Sequence, residues 1–135
     1  MSRTLIDSNV LLDVLTEDPE WSAWSERALI EAAERSLLVI NPIIYAEVSA
    51  GFTRKEDLDD ALPDDRFERE GLPWDAAFLA GKSFIRYRRS GGERRSPLPD
   101  FYIGAHAAVR GMILLTRDAA RYRTYFPTVT VIAPE

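Results

Sequence analysis

The feature that most constrains this chain is a short apolar run, Leu5-Ile6, that stops at a carboxylate, Asp7. After it, apolar residues recur at helical spacing from Val10 to Leu15, so the pattern predicts a buried strand that delivers an acid to the start of a helix. In open α/β sheets, ligands bind outside the carboxyl ends of the strands. A half-buried carboxylate is costly without a partner. The other acids that lie beside Asp7 therefore determine which ligand this edge of the sheet can bind.

The composition favours one packed domain over residues 1–135 and excludes several kinds of site. The chain has 135 residues, of which 46% are hydrophobic, enough for a real core. It has no cysteine, which excludes disulfides and zinc–thiolate sites, and its single histidine, His106, excludes a histidine-rich metal site. No apolar run approaches the roughly 18 residues of a membrane span, and no signal-peptide pattern is present. We therefore expect a soluble, cytoplasmic protein with no membrane partner.

Apolar runs alternate with amphipathic stretches along the whole chain. Besides the first strand, strands are predicted over 37–40, 112–115 and 129–132. Helices are predicted after Asp7 and over 21–35, 43–52, 54–65, 74–87 and 99–111, with a short helical or irregular piece at 122–126. Residues 67–72 resemble an irregular connector, and residues 90–97 are the clearest loop. Strands separated by helices predict an α/β fold, a central parallel sheet of about four to five strands flanked by helices on both faces.

The net charge of −5 is unevenly distributed along the chain. Residues 1–81 hold 7 Lys and Arg against 18 Asp and Glu, whereas residues 82–123 hold 10 against 3. An acidic chain argues against a nucleic-acid partner, but a locally basic segment argues for one. The candidate nucleic-acid-binding residues of this segment are Arg86, Arg88, Arg89, Arg94 and Arg95. On charge alone, a solvated helix end followed by a loop explains them equally well.

Four acids occupy positions that the predicted fold can bring together. Asp7 ends one strand and Asp118 follows another, while Asp100 starts a helix and Glu47 lies on an otherwise apolar helix. Each has a structural explanation when taken alone: Asp100 as a helix cap, Asp118 as a turn cap, and Glu47 as a solvated residue. As a set, they favour an oxygen-only site for Mg²⁺ or Mn²⁺ over a zinc site.

Other polar residues are interpreted as structural. His106 lies six positions after Asp100, so on a straight helix it points away from that acid and is a poor candidate for a general base. Asp13 is interpreted as a solvated residue of the first helix, and Asp75 as a helix cap. Arg117 lies between two candidate site residues, and contact with a phosphate competes there with a surface salt bridge.

Four segments together resemble the PIN-domain nucleases, and most of all the VapC toxins of bacterial toxin–antitoxin modules. The segments are Leu5 to Asn9, Tyr45 to Val48, Leu98 to Ala107 and Leu114 to Asp118. They occur in the family's order and at its spacings over nearly the whole chain. In that family four acids surround the metal, and they match Asp7, Glu47, Asp100 and Asp118 here. None of the four is substituted, so the resemblance implies an intact catalytic site.

The resemblance implies metal-dependent hydrolysis of RNA phosphodiester bonds with Mg²⁺ or Mn²⁺. The expected metal ligands are Asp7, Asp100 and Asp118, of which the first two are the principal ones. Glu47 completes the catalytic set, by binding through water or by orienting the nucleophile. Asn9 and Thr116 are expected to hold the carboxylates in place by hydrogen bonds, although for Thr116 a β-branched residue that simply ends a strand is an equal alternative.

The resemblance also implies protein partners. VapC-type toxins are held inactive by a cognate antitoxin, whose C-terminal segment lies across the site. Such a segment typically presents apolar anchors and a basic side chain. The helices at 43–52 and 55–62, with Phe52 and Leu58, are the expected groove. Similar proteins commonly form homodimers, which leaves a homodimer open for this chain.

Two other functional classes are compatible with acids at strand ends. A receiver-type signalling module also binds Mg²⁺ there, but it needs two adjacent acids after the first strand and a lysine after the last. Here Ser8 follows Asp7, and the only lysines are Lys55 and Lys82. The other class is a catalytically inactive PIN-like protein-interaction module with vestigial acids, and the intact set of four acids argues against it.

Overall fold

The structure, a computed structural model, describes residues 2–92 and 98–135. Its elements are β1 (Ser2–Ile6), α1 (Ser8–Leu15), α2 (Ser22–Arg35), β2 (Ser36–Ile40), α3 (Pro42–Ser49), α4 (Lys55–Ala61), β3 (Phe67–Arg69), α5 (Trp74–Arg89), α6 (Leu98–Arg110), β4 (Ile113–Leu115), α7 (Ala120–Tyr125) and β5 (Val131–Ile132). The five strands form one parallel sheet, flanked by the helices. The α/β prediction is confirmed. None of the described helices is both long enough and apolar enough to cross a membrane.

The order of the strands places a topological switch point next to the first strand. The sheet runs β3-β2-β1-β4-β5, so β1 lies at its centre, between β2 and β4. The chain leaves β1 towards β2 on one side, whereas it leaves β4 towards β5 on the other side. The carboxyl ends of β1 and β4 therefore flank a topological switch point, the place where open α/β sheets bind ligands.

The central strands are apolar throughout because both faces of the sheet are covered. Leu5, Ile6, Val39, Leu114 and Leu115 are completely buried. Such runs, without polar alternation, are typical of parallel strands that are buried on both faces. Burying each aliphatic side chain of this size stabilises the fold by about 1.5–3 kcal/mol. The switch point thus adjoins strands that are completely buried.

The neighbouring strands β1 and β2 are each followed by a residue that caps the next helix, and the two caps differ in charge. Asp7 follows β1 and accepts a hydrogen bond from the backbone N–H of Ser8, while Asn41 follows β2 and accepts one from Ile44. Both residues cap the helix that comes next, as short polar side chains do at helix N-termini. At the end of β1 the cap is charged, whereas at the end of β2 it is neutral.

The prediction of an irregular connector over 67–72 was wrong for its first half. Phe67–Arg69 forms β3, which pairs in parallel with β2 at the edge of the sheet. Its sequence, one phenylalanine and two charged residues, carries no apolar run. The strand forms because β2 presents backbone groups that need partners, and a pattern search within a single segment does not detect this.

Candidate functional site

Asp7 is the fixed centre of the candidate site. It directly follows β1, and the residue is only 4% exposed. Its backbone N–H donates to the carbonyl of Leu115 at 2.9 Å, which extends the β1–β4 pairing. Its Oδ1 accepts the backbone N–H of Ser8 at 2.7 Å. Both the main chain and one carboxylate oxygen are therefore held by neighbouring backbone.

The segment after β4 supplies further contacts to Asp7. The Thr116 hydroxyl donates to Asp7 Oδ2 at 2.8 Å and accepts the backbone N–H of Asp118 at 3.2 Å. Asn9 joins α1 to this segment, since its Oδ1 accepts the backbone N–H of Arg117 at 3.1 Å and its Nδ2 donates to Thr116 at 3.4 Å. Two of the predicted orienting residues thus lie where they can hold Asp7, and Asp118 lies next to them.

The other two acids come from helices that face this edge. Glu47 is partly buried on α3, and its Oε1 accepts the hydroxyl of Ser8 at 2.8 Å. Asp100 lies in the first turn of α6 and forms an ion pair with Arg121 at 2.6 Å. Each of the two carboxylates is therefore held by a side chain from a different element.

The four acids act on one another electrostatically. Burial raises the pKa of Asp7 to about 6, and the charges of Asp100 and Glu47 add to this effect. Burial also raises the pKa of Glu47, with a further contribution from Asp100. The pKa of Asp100 is raised by burial and by the charge of Asp118, while Arg121 opposes the shift. Carboxylates that disfavour one another's charge attract cations and mark candidate functional sites.

A metal site is not preformed in these side-chain positions. Among the described residues, no group of three or more His, Cys, Asp or Glu side chains could hold an ion as it stands. Asp7, Asp100 and Asp118 therefore stay predicted ligands. The chemistry of the donor set nevertheless fits a hard divalent cation, because every candidate ligand is a carboxylate and two of them have raised pKa values.

Two residues of α7 belong to this cluster, although the sequence interpretation did not include them. Tyr122 is 2% exposed, and its hydroxyl donates to Asp7 Oδ2 at 3.0 Å. Burial and the charge of Asp7 raise the pKa of Tyr122 well above its usual value, so the phenol keeps its proton. The second residue is Arg121, the partner of Asp100. The sequence held no local signal for Tyr122, because Asp118 precedes α7 and helical spacing does not relate the two residues.

The interpretation of Asp13 as a solvated residue was wrong. Asp13 is 3% exposed, and its carboxylate accepts two hydrogen bonds from the Arg117 guanidinium, at 2.8 and 3.1 Å. The Ser25 hydroxyl donates a third at 2.8 Å, and the guanidinium lies 5.3 Å from the centre of the Trp21 ring. Arg117 thus forms a salt bridge, which was the alternative to contact with a phosphate. Its partner, Asp13, lies inside the protein and not on its surface.

The other predicted nucleic-acid-binding arginines lie at or beyond the end of α5. Those in its last turn, all exposed, are Arg86, Arg88 and Arg89. The guanidinium of Arg86 lies 5.6 Å from the centre of the Tyr125 ring, on α7. Arg94 and Arg95 lie outside the described residues. The described arginines therefore form a basic helix end that approaches the helix of Tyr122.

His106 is structural, as the sequence indicated. Its ring is fully buried, with Nδ1 at 3.0 Å from Asn41 Nδ2 and Nε2 at 3.1 Å from Glu70 Oε2. Because Asn41 Oδ1 already accepts the backbone N–H of Ile44, its amide N–H donates to Nδ1, and Nε2 then donates to Glu70. Burial lowers the pKa of His106, which favours this neutral form. The ring links α6 to the ends of β2 and β3.

Several solved VapBC structures are similar to this chain in fold. A chain of VapBC2 from Rickettsia felis, bound to a DNA fragment from their promoter, is similar with a TM-score of 0.75 and 17% identity, over 98% of this chain and 99% of that one. VapBC-1 from nontypeable Haemophilus influenzae gives 0.73 and 17%, over 97% of each chain. DNA-bound VapBC from Salmonella typhimurium gives 0.71 and 21%, over 98% of each chain. A comparison with curated proteins gave no match.

The family model of the PIN domain matches residues 4–127, nearly the whole chain. This stretch includes every acid of the candidate site and both α7 residues that contact them. It leaves the receiver-like alternative without support. The chain belongs to the PIN-domain family.

Proposed function

We propose that the chain is a divalent-metal-dependent endoribonuclease that acts in the cytoplasm as the toxin of a toxin–antitoxin module. One observation carries the proposal. Four carboxylates from four separate elements, Asp7, Glu47, Asp100 and Asp118, form one electrostatically coupled cluster at the switch point of the sheet. Membership of the PIN-domain family supports the same function, since by the resemblance of the sequence these four acids match those that surround the metal in that family.

Asp7, Asp100 and Asp118 would hold Mg²⁺ or Mn²⁺, because these ions prefer oxygen ligands. When bound, such an ion would lower the pKa of a coordinated water and offset negative charge on the phosphate. The two hydroxyls and the backbone N–H that bind Asp7 keep its carboxylate in one orientation. To bind the ion, Asp100 would have to release Arg121 from its ion pair or hold both cations at once.

Glu47 is suited to take the proton of the attacking water. It is partly buried, its pKa is raised by burial, and the Ser8 hydroxyl holds one of its oxygens. In-line attack on phosphorus forms the new P–O bond while the bond to the 3′-oxygen breaks. The 3′-oxygen takes a proton from solvent, so the products carry a 5′-phosphate and a 3′-hydroxyl.

The basic segment would offset the repulsion between the acids and the RNA backbone. Attraction of a charged ligand depends on the local potential more than on net charge. The residues proposed for the RNA path are Arg86, Arg88, Arg89, Arg94 and Arg95. The exposed arginines of α5 support this path, because Arg86 packs on α7, which also carries Arg121 and Tyr122.

An antitoxin would use a groove beside α1 that Glu17, Glu26 and Arg66 line together with apolar residues. The groove has a volume of about 970 Å³ and lies between α1, α2, α4 and β3, with Leu11, Leu15, Leu29, Ile30, Leu62 and Phe67 in its lining. We propose an apolar antitoxin segment as its occupant, since the similar solved structures are VapBC complexes. The earlier expectation is wrong for Leu58, which is buried, and Phe52 is not part of this groove.

Cleavage of a mixed RNA substrate by the purified protein tests the proposed function. We expect fragments with 5′-phosphate and 3′-hydroxyl ends in Mg²⁺ or Mn²⁺, no cleavage in EDTA, and no cleavage by Asp7→Asn. End analysis separates this activity from contaminating ribonucleases that leave cyclic phosphates without metal. Absence of cleavage in every metal would contradict the proposal and favour the catalytically inactive interaction module.

A further inference from the structure

The site contains a hydroxyl that no catalytic assignment explains. Tyr122 lies on α7, and its residue is 2% exposed, yet its one polar atom contacts the most deeply buried acid of the cluster, Asp7 Oδ2, at 3.0 Å. The same phenol also acts on Asp100, since it lowers the pKa of that acid, and the charge of Asp100 in turn raises the pKa of Tyr122. One side chain thus contacts a carboxylate that follows β1 and influences one at the start of α6.

The rest of α7 packs firmly against α6, so the phenol of Tyr122 has a fixed position. Phe126 follows α7 and packs where Gly104 of α6 lacks a side chain; a Cβ at that position would lie 2.4 Å from the Phe126 ring. Phe101, the neighbour of Asp100, contacts the rings of both Tyr125 and Phe126, at 5.2 and 5.9 Å between centroids. The end of α7 is therefore held against the same helix that carries Asp100.

The hydrogen bonds that the Asp7 carboxylate accepts show what the phenol of Tyr122 contributes. Oδ1 accepts the backbone N–H of Ser8, and Oδ2 accepts the hydroxyls of Thr116 and Tyr122. The first two donors come from segments adjacent to Asp7 in the sheet, whereas only Tyr122 comes from α7. Without it, Oδ2 would keep one hydroxyl donor, and the carboxylate would lose its hydrogen bond to α7, the helix that packs against α6.

We propose that Tyr122 is a positioning residue, whose hydroxyl sets the orientation of Asp7 relative to Asp100 for binding of a divalent cation. The inference rests on the proposed function and extends it to a residue outside the four acids. Residues that hydrogen-bond to metal ligands typically contribute about 10–100-fold to metal affinity or activity. The same range is expected here, because Tyr122 contacts Asp7 directly.

Tyr122→Phe isolates the hydroxyl, since it keeps the buried ring. Titration calorimetry with Mn²⁺ in the absence of RNA should give a dissociation constant about 10–100-fold weaker than that of the wild type. At saturating Mn²⁺, kcat for RNA cleavage should fall by a similar factor, with KM for RNA within about twofold. Tyr125→Phe on the same helix is the matched control and should change neither quantity.

A purely structural hydroxyl would give a different pattern. If Tyr122→Phe lowered the melting temperature but left Mn²⁺ affinity and kcat within about twofold of the wild type, the proposal would be overturned. A second variant places 4-aminophenylalanine at position 122, which keeps a donor at the end of the ring. It should recover most of the lost affinity, and failure to exceed the phenylalanine variant would also overturn the proposal. This second variant decides the matter if the phenylalanine variant does not fold.

The failure of this inference is distinguishable from failure of the proposed function. A wild-type protein that neither binds Mn²⁺ nor cleaves RNA contradicts the proposed nuclease itself. A wild-type protein that does both, beside an equally competent Tyr122→Phe, contradicts only the positioning role.

Discussion

Asp7, the cap of helix α1, and Asp13, within that helix, are buried to nearly the same degree, but the charges around them are opposite. Asp7 is 4% exposed and Asp13 is 3% exposed. Asp13 meets the Arg117 guanidinium through two hydrogen bonds and the Ser25 hydroxyl through a third. Asp7 accepts only from neutral donors, and the nearest charges that act on it are those of other acids. The charge of Asp13 is therefore neutralised by its surroundings, whereas the charge of Asp7 is not.

We interpret the difference as that between a structural carboxylate, Asp13, and the proposed functional one, Asp7. A pKa of about 6 for Asp7, against an ordinary value of 3.8, corresponds to a cost of about 3 kcal/mol for keeping that group ionised in the fold. A protein that only needed a helix cap there would do better with a neutral residue, as Asn41 shows at the end of β2. Retaining the uncompensated charge is what a cation-binding site requires.

The largest effect should come from removing the uncompensated charge. Asp7→Asn keeps the size of the side chain but removes a predicted ligand. Cleavage of RNA should fall by more than about a hundredfold, the upper limit for residues that merely orient ligands. The same substitution at exposed Asp75, a residue of the first turn of α5, is the control and should leave the rate unchanged. A nearly normal rate in Asp7→Asn would remove Asp7 from the catalytic set.

The second effect concerns the paired aspartate. Asp13→Ala leaves the Arg117 guanidinium, whose side chain is 32% exposed, without its partner. Breaking a buried ion pair typically costs 3–5 kcal/mol, and partial exposure of the arginine favours the lower end, about 3 kcal/mol. Urea unfolding should show this loss as a shift in midpoint. The double variant Asp13→Leu, Arg117→Met should recover much of it, and a single variant as stable as wild type would show that the pair is not structural.

The third effect is a gain of stability that depends on pH. Because burial raises the pKa of Asp7 in the folded protein, the unfolded chain ionises first, and the cost of the charge appears as pH rises from about 4 to about 6. Asp7→Asn should therefore be more stable than wild type by about 2 kcal/mol above pH 6.5, slightly less than the full 3 because the amide fits the hydroxyl donors less well. Well below pH 4 the wild type pays nothing for the charge, so only the poorer fit of the amide remains and the variant should be the less stable protein by about 1 kcal/mol. Unfolding in EDTA across this pH range measures it, and a difference independent of pH would contradict the assigned pKa.

The sequence predicted the parts of the site that depend on local pattern. An apolar run followed by an acid identified Asp7, and the same pattern with a short turn identified Asp118. Asn9 and Thr116 were predicted to hold these acids, and in the structure Thr116 donates to Asp7 while Asn9 contacts Thr116. These residues flank the central strands, whose burial is visible in the sequence itself.

The sequence did not predict the parts that depend on packing between distant elements. Tyr122 and Arg121 reach the acids only because α7 docks on α6, and no local pattern encodes that contact. Asp13 and Arg117 are 104 residues apart, so the sequence suggested a solvated Asp13, and for Arg117 either contact with a phosphate or a surface salt bridge. The edge strand β3 depends in the same way on an unpaired partner strand.

The smallest effect should come from a single hydroxyl at the paired aspartate. Ser25 is fully buried and donates to Asp13 at 2.8 Å, just as Thr116 donates to Asp7 at the same distance. Ser25→Ala removes one of three hydrogen bonds to a carboxylate that keeps its cation, so it should cost about 1 kcal/mol of stability. It should leave RNA cleavage and Mn²⁺ affinity unchanged. Thr116→Val removes the corresponding hydroxyl at Asp7 and should instead weaken Mn²⁺ binding. If the two variants changed Mn²⁺ affinity equally, the distinction between a neutralised and an uncompensated aspartate would lose its functional meaning.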